Sequence, residues 1–388
     1  MRPEPLAPNN PCQRSERQTG ASHIIDGRRS AGGRPAARRG SVSELCTVGV
    51  LGCGEITSKR TADSIASAEN TELGPVMDVD ADAARDIGER FDVPHSTATA
   101  DVLEDEAVDA VYIATPHHLH AKGTIAAAEA GKHVLVEKPI AVSVAEADEM
   151  IAACAENVVA LSVCMPRRYS PQVERAKELL EDGFLGDVVG IRVQVMVRKP
   201  DSYWTGGYTG RVETDWRTSR EHSGGGVLNM NAIHSLDAVR YATGLEIARV
   251  YAELDTFATD VEVEDFCSVT LRYDNGAIGT VHASSFLEDA PRDRSTRGTR
   301  IYGTEGELVV EEPLLVRTNA ETRLGPAEEW HEVSSPERRP SGVRLIEDFS
   351  EAVLGGTEPP ITGRDGRAAL EIVRAAYESG EKHGPVTL

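Results

Sequence analysis

At 388 residues, 40% of them apolar, the chain is long enough for two domains that each bury a core without disulfide or metal staples. A formal net charge of -22 repels phosphate backbones and anionic membrane surfaces, which excludes nucleic acid and membrane as expected partners. No apolar run approaches the roughly 20 residues of a membrane helix and no apolar stretch follows the N-terminus, so a soluble, cytoplasmic protein is expected.

The basic residues are skewed, 34 Arg against 7 Lys, and acidic residues are plentiful. Strong self-repulsion of this kind is tolerable where salt screens it, as in a salt-adapted cytosol. Cys12, Cys46, Cys53, Cys154, Cys164 and Cys267 are scattered without Cys-x-x-Cys spacing. They read as small buried or incidental thiols in a reducing compartment, and no metal site is expected.

Residues 1–43 carry eight Arg, no Lys and no apolar period, the pattern of a disordered or non-native extension. From Cys46 onward short apolar runs alternate with amphipathic stretches. Strands are predicted at 46–51, 72–78, 108–114, 133–137 and 158–163, with helices at 56–66, 81–91, 118–130 and 144–155 between them. Such alternation is that of a doubly wound parallel sheet. A helix over 171–182 follows, stopped by Gly183, and then longer alternating segments at 188–197, 249–256, 266–273, 277–284 and 300–303. Asp274-Asn275-Gly276 is a hairpin turn, since Asn-Gly accepts positive φ at little cost. The second domain therefore reads as a largely antiparallel sheet, and helical patterns at 343–354 and 366–380 close the chain.

Gly52-Cys53-Gly54-Glu55-Ile56-Thr57 joins the first strand to the first helix. Gly52 permits a tight turn, and Gly54 lets the backbone approach a pyrophosphate at the helix N-terminus. Thr57 stands where the dinucleotide fingerprint has Gly or Ala, which sets the helix slightly further from the strand. Asp78, 24 residues after Gly54, ends the next strand, where its carboxylate can accept from both adenosine ribose hydroxyls and repel a 2′-phosphate. Val79 and Asp80 supply no Arg for that phosphate, so NAD is favoured over NADP.

Two further segments end parallel strands, where an open α/β sheet binds its ligand: Ala114-Thr115-Pro116-His117-His118-Leu119-His120, and the run from Ala130 that ends in Glu137-Lys138-Pro139. The Lys138 ammonium is expected in the cleft, aimed at a substrate oxygen. Ser223-Gly224-Gly225-Gly226 lets the backbone pass close to something bulky, and the helix after it carries Asn231, His234 and Asp237 at i, i+3 spacing. Trp216 and Arg217 offer a flat wall and a donor fork for a polyol.

These motifs, with Arg167-Arg168-Tyr169-Ser170-Pro171 and Arg300-Ile301-Tyr302-Gly303-Thr304-Glu305-Gly306, resemble the glucose-fructose oxidoreductase/inositol dehydrogenase (Gfo/Idh/MocA) family from about residue 45 to the C-terminus. The resemblance implies an α/β fold: a Rossmann dinucleotide-binding domain (45–165), a substrate-binding and oligomerisation domain with a largely antiparallel open sheet (166–340), and C-terminal helices packing back (341–388). It implies cofactor contacts from Gly52, Gly54, Glu55, Ile56, Asp78, Thr115, Pro116, His117, His120 and Glu137. Substrate contacts are implied from Lys138, Arg168, Trp216, Arg217, Asn231 and His234. The expected activity is NAD(P)-dependent oxidation of a hydroxyl on a sugar, cyclitol or related polyol by a homo-oligomer, a dimer or tetramer. His234 is the expected base and Lys138 the expected donor to the same oxygen, with reversed roles if burial depresses the lysine far enough. Two departures stand out: His117 where the family often has Asn, and Met230 where it commonly has Asp or Asn four residues before the catalytic His. An NAD-assisted glycoside hydrolase and a non-catalytic NAD or sugar sensor remain alternatives. Loops 199–210 and 285–297 are expected to wall the pocket.

Overall fold

A computed structural model describes residues 45–288 and 298–388. The extension expected over 1–43, Cys12, and the end of the 285–297 loop lie outside the described residues.

The first sheet is formed by β1 (Cys46–Leu51), β2 (Thr71–Met77), β3 (His95–Ser96), β4 (Ala110–Ile113), β5 (His133–Val136) and β6 (Leu161–Val163), in the order β3-β2-β1-β4-β5-β6. Every pair is parallel, and the strand order reverses between β1 and β4. Helices α1 (Ala62–Ser67), α2 (Ala81–Phe91), α3 (Ala100–Leu103), α4 (His120–Glu129) and α5 (Val144–Glu156) connect the strands. β1 and β4 are buried at every residue, which is why they appear in the sequence as unbroken apolar runs. Asp80 caps α2 by accepting from Asp82 and Ala83 N–H, and Ser143 caps α5 by accepting from Glu146 N–H. Val158 turns the chain with φ 57°, so β6 begins at Leu161 instead of at 158.

The second sheet has nine strands in the order β14-β13-β12-β11-β7-β10-β9-β8-β15. These are β7 (Val188–Met196), β8 (Ile247–Asp255), β9 (Phe266–Tyr273), β10 (Ile278–Ser284), β11 (Gly298–Gly303), β12 (Gly306–Val310), β13 (Leu314–Thr318), β14 (Trp330–Val333) and β15 (Val386–Thr387). Only β7 and β10 pair in parallel; all other pairs are antiparallel. Gly276, at φ 88°, makes the β9–β10 hairpin, and Val269, Leu271, Val281 and Ala283 fall on one buried face. Around this sheet lie α6 (Pro171–Glu181), α7 (Ser202–Gly206), α8 (Arg220–Ser223) and α9 (Ile233–Thr243).

The last helices, α10 (Ser341–Gly355) and α11 (Gly363–Lys382), return to the first sheet. Asn70 Nδ2 donates to the Glu347 carbonyl on α10, 2.8 Å away. α11 starts from a Thr362/Asp365 capping box, and a Cβ at Gly366 would lie 2.5 Å from Val163 in β6. Near its far end Ser379 Oγ accepts from Ala252 N–H in β8, so one helix touches both sheets. The five described cysteines are buried free thiols, and no described group of His, Cys, Asp or Glu could hold a metal ion. No helix of the described residues is long and apolar enough to cross a membrane.

Candidate active site

The strand-order reversal leaves a crevice at the carboxyl ends of β1 and β4. Gly52, at φ 104°, turns the chain out of β1, and a Cβ there would meet the Ala114 carbonyl at 2.7 Å. Nothing lies within 4 Å of where a Cβ at Gly54 would sit. Thr57 is fully buried and donates to the Gly52 carbonyl (2.6 Å), and the helix opens there in a wider π turn, Thr57–Thr61. Asp78 closes the turn from the other side: Oδ2 accepts from Cys53 N–H (2.7 Å) and Oδ1 from Asp80 N–H (2.9 Å). Above β4, Thr115 Oγ1 is buried with no hydrogen-bond partner among the described residues. An open approach at Gly54, an orphaned hydroxyl and a carboxylate at the end of β2 fit a dinucleotide.

Four residues expected at the cofactor or substrate also make hydrogen bonds within the protein. His120 is fully buried, with Nδ1 2.8 Å from the Pro139 carbonyl and Nε2 3.0 Å from the Thr115 carbonyl, so it ties two strand-end loops together. Burial holds its pKa below the usual value, and the neutral ring donates to one of these carbonyls at a time. Glu137 is buried, accepting from the Tyr112 hydroxyl (2.7 Å) and Lys138 N–H (3.2 Å). Glu55 turns to the second domain, accepting from Tyr208 N–H (2.9 Å) and pairing with Lys59. Arg168 donates to both Asp237 oxygens, Nε at 2.9 Å, and to Asp365 at 2.8 Å, a buried ion pair. Asp237 accordingly belongs to the core and not to a polar stripe with Asn231 and His234. Ile56 lies partly exposed beside the glycine turn.

The triple glycine approaches protein. A Cβ at Gly225 would lie 1.9 Å from the Tyr377 hydroxyl, and one at Gly226 would lie 1.9 Å from the Glu264 carbonyl. Buried Glu264 fixes this bend by accepting from Gly226 N–H (2.7 Å), Leu228 N–H (2.9 Å) and Tyr377 hydroxyl (2.9 Å). The backbone then takes a π turn, Leu228–Ala232, before α9. This wide turn carries Met230 and Asn231 into the site and breaks the even i, i+3 spacing expected of an α-helix.

Around the turn the catalytic candidates meet. Lys138 Nζ donates to the Met230 carbonyl at 2.9 Å. Asn231 Oδ1 and His234 Nδ1 are buried and unpartnered, and neither His234 ring nitrogen holds a hydrogen bond among the described residues. Burial holds the His234 pKa well below 6.5, and the nearby charges of Lys138, Arg167 and Arg60 depress it further. Burial also lowers the Lys138 pKa, against the opposing pull of Glu137. Pro116 leads into a 3-10 turn, His117–Leu119, in which His117 Nδ1 donates to the Ser223 carbonyl (2.7 Å) and its ring lies 4.4 Å from the Trp216 ring. Arg217 lies over Trp216 at 4.4 Å.

Two descriptions of known families match this chain: "Oxidoreductase family, NAD-binding Rossmann fold" over residues 46–165, and "GFO/IDH/MocA C-terminal domain" over 173–309. The chain belongs to the Gfo/Idh/MocA oxidoreductase family. It is 30% identical to D-xylose 1-dehydrogenase (NADP(+)) 2 of Haloferax volcanii, across 88% of this chain and 99% of that protein. It is 26% identical to myo-inositol 2-dehydrogenase of Thermotoga maritima, across 88% and 98%. Levoglucosan dehydrogenase in complex with NADH and levoglucosan superposes with a TM-score of 0.76 at 25% identity, covering 88% of this chain and 99% of that one. The protein is therefore an NAD(P)-dependent dehydrogenase.

Three residues at the site were not singled out by sequence reasoning. Lys199 and Tyr203 lay within the loop expected to wall the pocket, without any motif to mark them. Arg211, from the second domain, donates to the Cys53 carbonyl (3.2 Å) and the Ala83 carbonyl (3.2 Å), and pairs with Asp86. An arginine thus reaches the glycine turn although Val79 and Asp80, the residues after Asp78, supply none.

Proposed function

We propose that the protein oxidises a hydroxyl-bearing carbon of a sugar, cyclitol or related polyol, with NAD as the preferred cofactor. The turns at Gly52–Gly54 and Thr115–His117 would hold the dinucleotide, and Asp78 its adenosine ribose. When bound, the nicotinamide supplies the hydride acceptor. The observation that carries the reading is the His234 imidazole, unpartnered among the described residues, in the first turn of α9 directly after the π turn that anchors Lys138.

A depressed pKa keeps His234 neutral at neutral pH, the form that can take the proton of the carbinol hydroxyl. Lys138 spends one N–H on Met230 and retains two to donate to the same oxygen, stabilising negative charge as it develops. Asn231 Oδ1 is free to accept from a second hydroxyl. Met230 offers only its thioether where an amide or carboxylate would otherwise orient the substrate. The relatives named for xylose, inositol and levoglucosan support a polyhydroxylated substrate. The nine-stranded sheet, open on the face where Tyr251 and Ile278 are exposed, supports assembly as a homo-oligomer.

A panel of sugars and polyols assayed by NADH absorbance, at high and low salt, tests the reading. NADH formation with at least one polyol is expected. Release of free sugar from glycosides without net NADH would replace it by the hydrolase, and cofactor binding without any turnover would replace it by a sensor.

A further inference from the structure

Lys199 follows β7 and is held by its own N–H, which donates to the Ser285 carbonyl at 2.8 Å. Its side chain is 6% exposed and lies over the Tyr203 ring at 4.1 Å and the Trp204 ring at 5.2 Å. The ammonium's one hydrogen bond among the described residues goes to Met230 Sδ at 3.6 Å, a weak acceptor. Tyr203 carries a second cation, Arg217, 5.2 Å from the ring centroid, and that guanidinium makes no hydrogen bond among the described residues. Two cations on one aromatic ring, with almost all their N–H donors unspent, form an incomplete arrangement.

Both belong to the site already described. Met230 accepts from Lys138 through its carbonyl and touches Lys199 through its sulfur. Glu264, the acidic neighbour of Lys199, already accepts from two backbone N–H groups and Tyr377, and Glu55, the acidic neighbour of Arg217, already accepts from Tyr208 N–H and pairs with Lys59, so the two carboxylates balance the cations only in part. We propose that Lys199 and Arg217 clamp an anionic substituent of the substrate, a carboxylate or a phosphate, against Tyr203 while Lys138 and His234 act at the carbinol. The inference rests on the dehydrogenase reading of that site and narrows its substrate to acidic sugars or polyols.

The free amine has an unusual titration. Burial lowers the Lys199 pKa to about 7, with Glu264 raising it and Arg217 lowering it. An anion between the two cations favours the protonated amine, so binding above pH 7 takes up a proton. Affinity for an acidic substrate therefore falls as pH rises through about 7, while affinity for a neutral one does not follow this group.

The test is calorimetric binding of D-gluconate, D-glucuronate and D-glucose 6-phosphate against D-glucitol and D-glucose, to the full chain with NADH present. At least one acid should bind roughly tenfold or more tightly than its neutral counterpart. Gluconate or glucuronate as the tight ligand identifies a carboxylate, and glucose 6-phosphate identifies a phosphate. Lys199→Met should abolish that preference and the proton uptake. Arg217→Gln, at a half-buried position, reports the same loss if the buried substitution fails to fold. Equal affinity for acids and neutral sugars, a preference that survives both substitutions, or variants that weaken NADH instead of the acid would overturn the clamp. Tight acid binding with no NADH formed from any acid or polyol would leave the clamp standing and remove the dehydrogenase reading.

Discussion

Lys138 reaches across from the end of β5 to hold the main-chain carbonyl of Met230, four residues before His234. The first domain thereby anchors the turn that leads into α9, the helix on which the second presents its imidazole. Replacing Lys138 by Met or His234 by Ala should lower turnover by roughly 10²–10⁴-fold, as loss of a positioned acid-base group does. NADH affinity, measured by fluorescence, should be largely retained. A His234→Ala variant with unaltered turnover would remove the proposed base.

The proposed His234 base has a defined pH signature. Its pKa lies below 6.5, so the imidazole remains neutral as pH falls past the ordinary histidine range. The acid limb of kcat/KM for oxidation should therefore lie below pH 6.5, and an acid limb above it would assign the proton to another group.

Stability should follow the same sign. His117, His120 and His234 are neutral in the fold chiefly because they are buried, and would titrate near 6.5 when unfolded. Below that pH the unfolded chain binds protons that the native chain does not. Each imidazole then removes at most about 1.4 kcal/mol per pH unit. The urea midpoint should fall steadily as pH drops below 6.5, and a flat profile there would mean the imidazoles are accessible.

The proposed NAD preference rests on the charge at Asp78. NAD should bind more tightly than NADP by roughly a factor of ten or more, the scale of one like-charge contact. Asp78→Asn keeps an acceptor for Cys53 N–H and removes the charge, so it should narrow the gap by admitting NADP. Arg211→Gln is the complementary test, since that guanidinium lies at the same turn. Equal affinity of the unaltered protein for both cofactors would contradict the assignment.

Arg168 should behave as a structural residue. Arg168→Met leaves the Asp237 carboxylate buried without its partner, at a cost of about 3–5 kcal/mol. Thermal unfolding should show the loss, while the folded enzyme keeps its substrate KM. A raised KM with unchanged stability would return Arg168 to the substrate.

The parallel sheet, the Gly52–Gly54 turn, Asp78 and the Asn275-Gly276 hairpin were legible in the sequence because each rests on local rules: unbroken apolar runs, turn residues and spacing within one β-α unit. The same holds for α2, whose Asp80 cap lies beside its first turn. β3 and α3 are too short to set up a period, and β12 to β14 were not foreseen. What Arg168, His120 and Glu137 do was decided by tertiary structure alone. Arg168 meets partners 69 and 197 residues away, and a guanidinium in a motif cannot announce which carboxylate will claim it. The polar turn of Asn231 and His234 was visible, but its π geometry depends on Glu264 binding the backbone from a distant loop. Arg217 was marked with Trp216 as a donor fork, but Lys199 and Tyr203 carry no motif. Folding brings two cations to one ring, and burial then turns an ordinary lysine into a group that titrates near neutrality.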